Sequence, residues 1–105
     1  MSISTHVLDT TTGLPAVGVP VRLEGDGVLV EGVTDDDGRL GGLGPDEVAR
    51  GTYRLRFATW EWFFGQGRDS FYPEVVVTFA VAEPTRHLHV PLLLSAYSYS
   101  TYRGS

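Results

Sequence analysis

The sequence predicts an all-β fold, an antiparallel β-sandwich of seven to eight strands with one short helix, on three observations. Short segments alternate apolar and polar residues with a period of two, the mark of strands with one buried face. Clusters of Gly, Pro, Asp and Thr separate these segments at short intervals. Only one stretch, Trp60 to Gly65, reads as a helix. A run of short strands of this kind packs as two facing sheets. No period of about 20–50 residues repeats and no linker composition interrupts the chain, so a single domain over residues 1–105 is expected.

Ser2 to Asp9 is the first strand, with Ile3, Thr5 and Val7 on one face and Ser4, His6 and Leu8 on the other. Thr10 to Pro15 breaks it. Val19 to Glu24 alternates Val19, Val21 and Leu23 against Pro20, Arg22 and Glu24, and Gly25-Asp-Gly27 turns it into a partner over Val28 to Thr34. Asp35 to Gly44 is a Gly- and Asp-rich connection carrying Arg39, and Pro45 to Ala49 is expected to form a single helical turn. Thr52 to Ala58 sends Tyr53, Leu55 and Phe57 inward and Arg54 and Arg56 outward. After the Trp60 helix, ended by Gly65 and Gly67, Val75, Val77, Phe79 and Val81 mark a further strand. The stretch from Arg86 to Ser105 supplies two more, and Pro91 within it predicts an edge position or a bulge near His89.

Thirteen acidic residues against eight arginines give a net charge of −5. Without a basic run to neutralise phosphates, nucleic acid and anionic membranes are not expected partners. There is no cysteine, which excludes disulfides and thiolate ligands and fits a reducing compartment. The N-terminus lacks the pattern of a secretory signal, and the longest apolar run, Val90 to Leu94, is far below the roughly 20 residues a membrane helix needs. A cytoplasmic protein is expected. A chain of this length buries only about 60–65% of its unfolded surface, so self-assembly would add stability.

Asp35-Asp-Asp-Gly38 resembles a calcium loop, but the EF-hand spacing puts Val33 at the first ligand position and Gly44 where a bidentate Glu belongs, so a solvated turn is the better reading. The glycines of 38–44 and 65–67 match no phosphate-cradling pattern. His87 and His89 stand two apart on a strand and so share a face. With the third histidine, His6, this pattern admits three readings: surface histidines, a three-His zinc site with an open position, or a general base working beside an arginine. Trp60, Trp62, Phe63, Phe64, Phe71 and Tyr72 suit core and interface, and Tyr97 to Thr101 suit a sheet edge or subunit contact.

Ser4-Thr-His-Val-Leu-Asp-Thr-Thr-Thr-Gly-Leu-Pro-Ala16, His87-Leu-His-Val-Pro-Leu-Leu-Leu-Ser95 and Tyr97 to Ser105 resemble the transthyretin-like (prealbumin-like) family, and within it the enzymatic branch of 5-hydroxyisourate hydrolases. Thr34 to Leu40, Gly51 to Leu55 and Phe71 to Val75 agree, so the resemblance spans essentially the whole chain, and Tyr102-Arg-Gly-Ser105 is its most specific part. The hydrolases carry His, Arg and His where the vertebrate carriers have Lys, Glu and Thr; here these positions hold His6, Arg39 and His89. Two departures are Ala96 for the usual Pro and Leu88 for a common aromatic.

The resemblance implies hydrolysis of 5-hydroxyisourate to 2-oxo-4-hydroxy-4-carboxy-5-ureidoimidazoline in urate degradation, without cofactor or metal. It implies a homotetramer with sites at the dimer–dimer interface. His6 and His89 are then expected to move protons and activate water, Arg39 to orient substrate and stabilise charge, and Ser105 to complete the catalytic set. Tyr102, Arg103 and Gly104 are expected to bind substrate, with His87 outside the reacting set. A binding protein of the carrier type and a zinc hydrolase using His6, His87 and His89 remain the alternatives.

Overall fold

A computed structural model describes residues 2–104 of the chain. Two sheets face each other across one apolar core. The first is built around β1 (Ile3–Asp9), which is flanked along one side by β8 (Leu88–His89) and β9 (Leu92–Leu94) and along the other by β2 (Leu14–Pro15) and β5 (Arg39–Leu43). The last strand, β10 (Tyr99–Thr101), closes the outer side of β9. The second sheet runs in the order β4-β3-β6-β7, from β4 (Val28–Val33), β3 (Pro20–Gly25), β6 (Gly51–Phe57) and β7 (Val75–Val81). Of these ten strands, β2 and β8 are two residues long, which leaves eight longer ones, within the expected number of seven to eight although β5 is not among the segments read as strands.

Period-two patterning decides what is buried. Val21 and Leu23 of β3, Tyr53, Leu55 and Phe57 of β6 and Val75 and Val77 of β7 meet Ile3, Val7, Leu88, Leu92 and Leu94 of the other sheet. Full burial of one such Leu or Phe is worth roughly 1.5–3 kcal/mol. The outer face of the second sheet carries charge instead, where the Arg56 guanidinium bonds Glu24 at 2.8 Å and Glu74 at 3.0 Å. The single helix, α1 (Thr59–Phe64), inserts Phe63 into the core and leaves Phe64 exposed. Arg68, just beyond α1, ties it to β1 by an ion pair to the buried Asp9 carboxylate at 2.8 Å. Burial pushes that carboxyl up, but the Arg68 hydrogen bond and the Thr11 and Thr12 amides hold it below its ordinary value of 3.8.

Four sequence expectations change. Pro45 to Ala49 is not helical: Val48 leaves the local chain to bridge Thr85, with backbone bonds of 2.7 and 3.1 Å, because a long-range pair buries its side chain where a lone turn would not. Arg39 does not sit in a connection but opens β5. Pro91 produces no bulge. Residues 3–4 pair with 88–89 and residues 7–9 pair with 92–94 at one constant offset, both ladders parallel, so the proline interrupts the bonding without shifting register. The carbonyls freed around it are taken by hydroxyls: Thr5 donates to the Val90 oxygen at 2.6 Å and Thr101 to the Pro91 oxygen at 2.7 Å. The terminal stretch therefore yields three strands rather than two.

Candidate active site

Neighbours across a strand pair share a face. Ser4 lies opposite His89 and His6 lies opposite Arg39, and Ser4 and His6 are two apart on β1. All four therefore project from the outer face of the first sheet, away from Ile3 and Val7. Directly opposite Cβ atoms stand roughly 5 Å apart and diagonal ones about 7–8 Å, so His6 is within side-chain reach of both Arg39 and His89.

Arg39 reaches this face because of a β-bulge. Leu43 pairs with Ile3, but Leu40 pairs with Thr5, so three steps of β5 oppose two of β1. Had the ladder run on from Leu43 without the slip, Arg39 would lie opposite Val7 and point into the core. Gly42, at φ +66°, takes up the extra residue. The turn ahead of β5 is equally defined. The Asp35 carboxylate accepts the amides of Asp37 and Arg39, both at 2.9 Å, and these bonds, the Arg39 amide first, hold its carboxyl below the ordinary range. Gly38, at φ +74°, lets the loop approach β1 so closely that a Cβ would stand 2.5 Å from the Val7 oxygen.

His89 is held from two sides. Its Nδ1 lies 2.8 Å from the Ser4 hydroxyl, which is itself only 7% exposed. On the other side the Gly104 amide donates to the His89 carbonyl at 2.8 Å, and the ring packs so tightly on Gly104 that a Cβ there would be 2.5 Å from Cδ2. Burial first, then the positive charges of Arg39, His6 and His87, push the imidazole below its ordinary 6.5, against a hydrogen bond to the Ser4 backbone that raises it. At neutral pH the ring is uncharged and able to accept a proton.

Ser4, Arg39, Leu40, Gly41, His87 and His89 line an open depression of about 240 Å³. His6, part-buried on the same face, stands beside it. His87 is exposed at the rim. Tyr102 and Arg103 line a different and larger depression of about 670 Å³, with Val77, Phe79, Leu88 and Val90, so within one chain they do not join the histidines. Of the terminal tetrapeptide Gly104 bridges His89, and Ser105 lies outside the described residues. No group of three or more His, Asp or Glu among the described residues has the geometry to hold a metal ion. Ser4, which has a direct part in the geometry, was not singled out from sequence, and Asp35 was read only as part of a solvated turn. Strand alternation already placed Ser4 on the His6 face, and that was the available signal.

A family model described as HIUase/Transthyretin family matches residues 3–104. The chain belongs to this family. A 5-hydroxyisourate hydrolase of Salmonella dublin is 48% identical over 109 residues, covering 98% of this chain and 80% of that protein. Among solved structures, the Klebsiella pneumoniae 5-hydroxyisourate hydrolase superposes with a TM-score of 0.89 at 36% identity, over 99% of this chain and 93% of that one. Sea bream transthyretin in complex with thyroxine superposes with a TM-score of 0.85 at 30% identity, over 99% and 95%. A thyroxine-bound protein thus shares the same sandwich, so the fold alone does not decide what a member does.

Proposed function

We propose that the chain is a 5-hydroxyisourate hydrolase, and the observation that carries the reading is the convergence of His6, Arg39 and a neutral His89 on one wet face around β1. The kinship with 5-hydroxyisourate hydrolases from two bacteria supports the substrate. Water, deprotonated by a histidine, adds to a ring carbonyl carbon of the substrate. The oxyanion collapses, the carbon–nitrogen bond of the cyclic amide breaks, and the leaving nitrogen takes a proton from the imidazolium. The product is 2-oxo-4-hydroxy-4-carboxy-5-ureidoimidazoline, which places the reaction in urate degradation. A positioned general base contributes about 10²–10⁴-fold. Arg39 supplies a fixed fork of charged donors to the oxygen on which charge develops. The uncharged state of His89 suits it to the base role, with His6 relaying or supplying the second proton.

In this reading the chain, one domain over residues 1–105, works as a homotetramer with its sites at the dimer–dimer interface. The openness of a 240 Å³ depression and the exposure of Leu14, Tyr97 and Tyr102 support it, since a second copy would wall the site and cover apolar surface. Tyr102, Arg103 and Ser105 then bind substrate or complete catalysis in the assembled site. The test is the ultraviolet decay of freshly generated 5-hydroxyisourate with and without the protein, before and after chelation, with light scattering for the assembly. Accelerated decay that survives chelation is expected. Binding without turnover would make the chain a carrier, and loss on chelation would make it a metallohydrolase.

A further inference from the structure

We propose that Ser4 is a positioning residue for His89, accepting its Nδ1–H and so fixing the tautomer in which Nε2 keeps a free lone pair toward the depression. The inference rests on the hydrolase reading for its catalytic consequence and, for the tautomer, on the demand of the imidazolium for an acceptor at Nδ1, since a hydroxyl 2.8 Å away is able both to donate and to accept. A neutral imidazole carries one N–H, and the nitrogen that holds it is set by the partner of the other. Ser4 and His89 are register partners in the parallel ladder, the contact is 2.8 Å, and Ser4 is nearly buried, so the pair is held by the backbone rather than by mobile side chains.

The ring has no second way to sit. Turning it over would bring Cδ2 to the Ser4 oxygen and Nδ1 to Gly104, whose Cα offers no acceptor and whose packing leaves no slack. Among the described residues no side chain hydrogen bonds to Nε2, which leaves that atom to water or substrate. When Nε2 takes the proton of the attacking water, the imidazolium has two N–H groups, and Nδ1 must then donate. A serine hydroxyl accepts without adding a negative charge, unlike the carboxylate that often backs a catalytic histidine. It therefore orients the ring while leaving the neutral state favoured by burial and by the charges of Arg39, His6 and His87 around it. Gly104, which packs on the ring, carries no titratable side chain.

The imidazole ¹⁵N shifts of His89 in the unmodified full-length protein decide the tautomer without any variant. Protonated Nδ1 and bare Nε2 at neutral pH are expected; a ring protonated mainly at Nε2 overturns the proposal. Ser4→Ala should move the tautomer toward Nε2–H and lower kcat by about 10–100-fold, part of what a general base contributes, with KM within about twofold. Ser4→Thr, which keeps the hydroxyl, should recover most of the loss. Equal kcat in Ser4→Ala and the parent, or an equal loss in Ser4→Thr and Ser4→Ala, would overturn it. A protein that shows the expected tautomer but no turnover of 5-hydroxyisourate sinks the hydrolase reading and supports the positioning assignment.

Discussion

The two sheets of the sandwich are built to different standards. In the β4-β3-β6-β7 sheet every ladder is antiparallel and unbroken, from Pro20 opposite Val33 to Phe57 opposite Val75. Its outer face is an ordinary grid of arginines and glutamates. In the sheet around β1 almost nothing is regular. It contains a bulge in β5, two parallel ladders, a proline gap between β8 and β9, and a tail beyond β10 in which Gly104 reaches His89 through one isolated bridge. All the candidate chemistry sits on the irregular sheet. An unbroken ladder presents side chains in fixed alternation and has no means of turning one arginine toward a histidine. The irregular sheet obtains that freedom from the bulge and is stabilised by hydroxyl and glycine contacts that the regular sheet has no use for.

The contrast is broken most severely at His89. His89→Ala should lower kcat/KM by about 10²–10⁴ while the circular dichroism spectrum and melting temperature stay near those of the parent. In the parent, the acid limb of the kcat/KM profile should have its midpoint below 6.5, since the folded ring resists protonation. A midpoint above 6.5 would remove His89 from the base role.

Next in size is Arg39, which the bulge sets opposite His6. Arg39→Ala should lower kcat/KM by about 10²–10³, typical of removing an oxyanion donor. A variant that folds and retains full kcat/KM would show that Arg39 is not needed on that face. Gly104→Ala comes third. Its Cβ must displace the His89 ring, and small misplacements of reacting groups cost up to about 10²-fold, so a drop of about 10–100-fold in kcat with an unchanged melting curve is expected.

How much of this was legible in the residues differs along the same line. Val19 to Glu24, Thr52 to Phe57 and Val75 to Val81 announce the regular sheet by alternation alone, and the helix at Thr59–Phe64 is bounded as its glycines imply. His6 and His89 were placed on one face by parity with Ile3 and Leu88. Arg39 was recognised by resemblance, but its strand was not, because Arg39-Leu-Gly-Gly-Leu43 has poor strand propensity and owes its conformation to β1. Nothing local in Pro45 to Ala49 could reveal Val48's pairing with Thr85, a partner far along the chain. Ser4 is so ordinary in a strand that only the register with His89 gives it meaning.

The smaller effects sharpen the contrast through stability. Arg68→Ala leaves the buried Asp9 carboxylate without its cation and should cost about 2–3 kcal/mol, seen as a lower urea midpoint. Because the folded carboxyl of Asp9 lies below 3.8, the parent has this contribution in full above that pH and loses it as pH falls through the folded value. The acid dependence should therefore be shallower in the variant. Arg56→Ala, on the regular sheet's charged grid, should leave kcat/KM unchanged, and a loss there would mean that the second sheet contributes to the site after all.

The parallel ladder between β1 and β8 sets a schedule as well as a geometry. Ser4 and His89 stand 85 positions apart, and closing so long a loop is slow compared with pairing neighbours. On a ribosome the first strand meets β2 and β5 early but has no β8 or β9 until residues 88–94 are made, by which time β3, β4 and β6 can already have found one another. The candidate site thus forms only after β8 has been made, and if the proposed chemistry resides there, recovery of activity after dilution from denaturant serves as a clock for the pairing of β1 with β8.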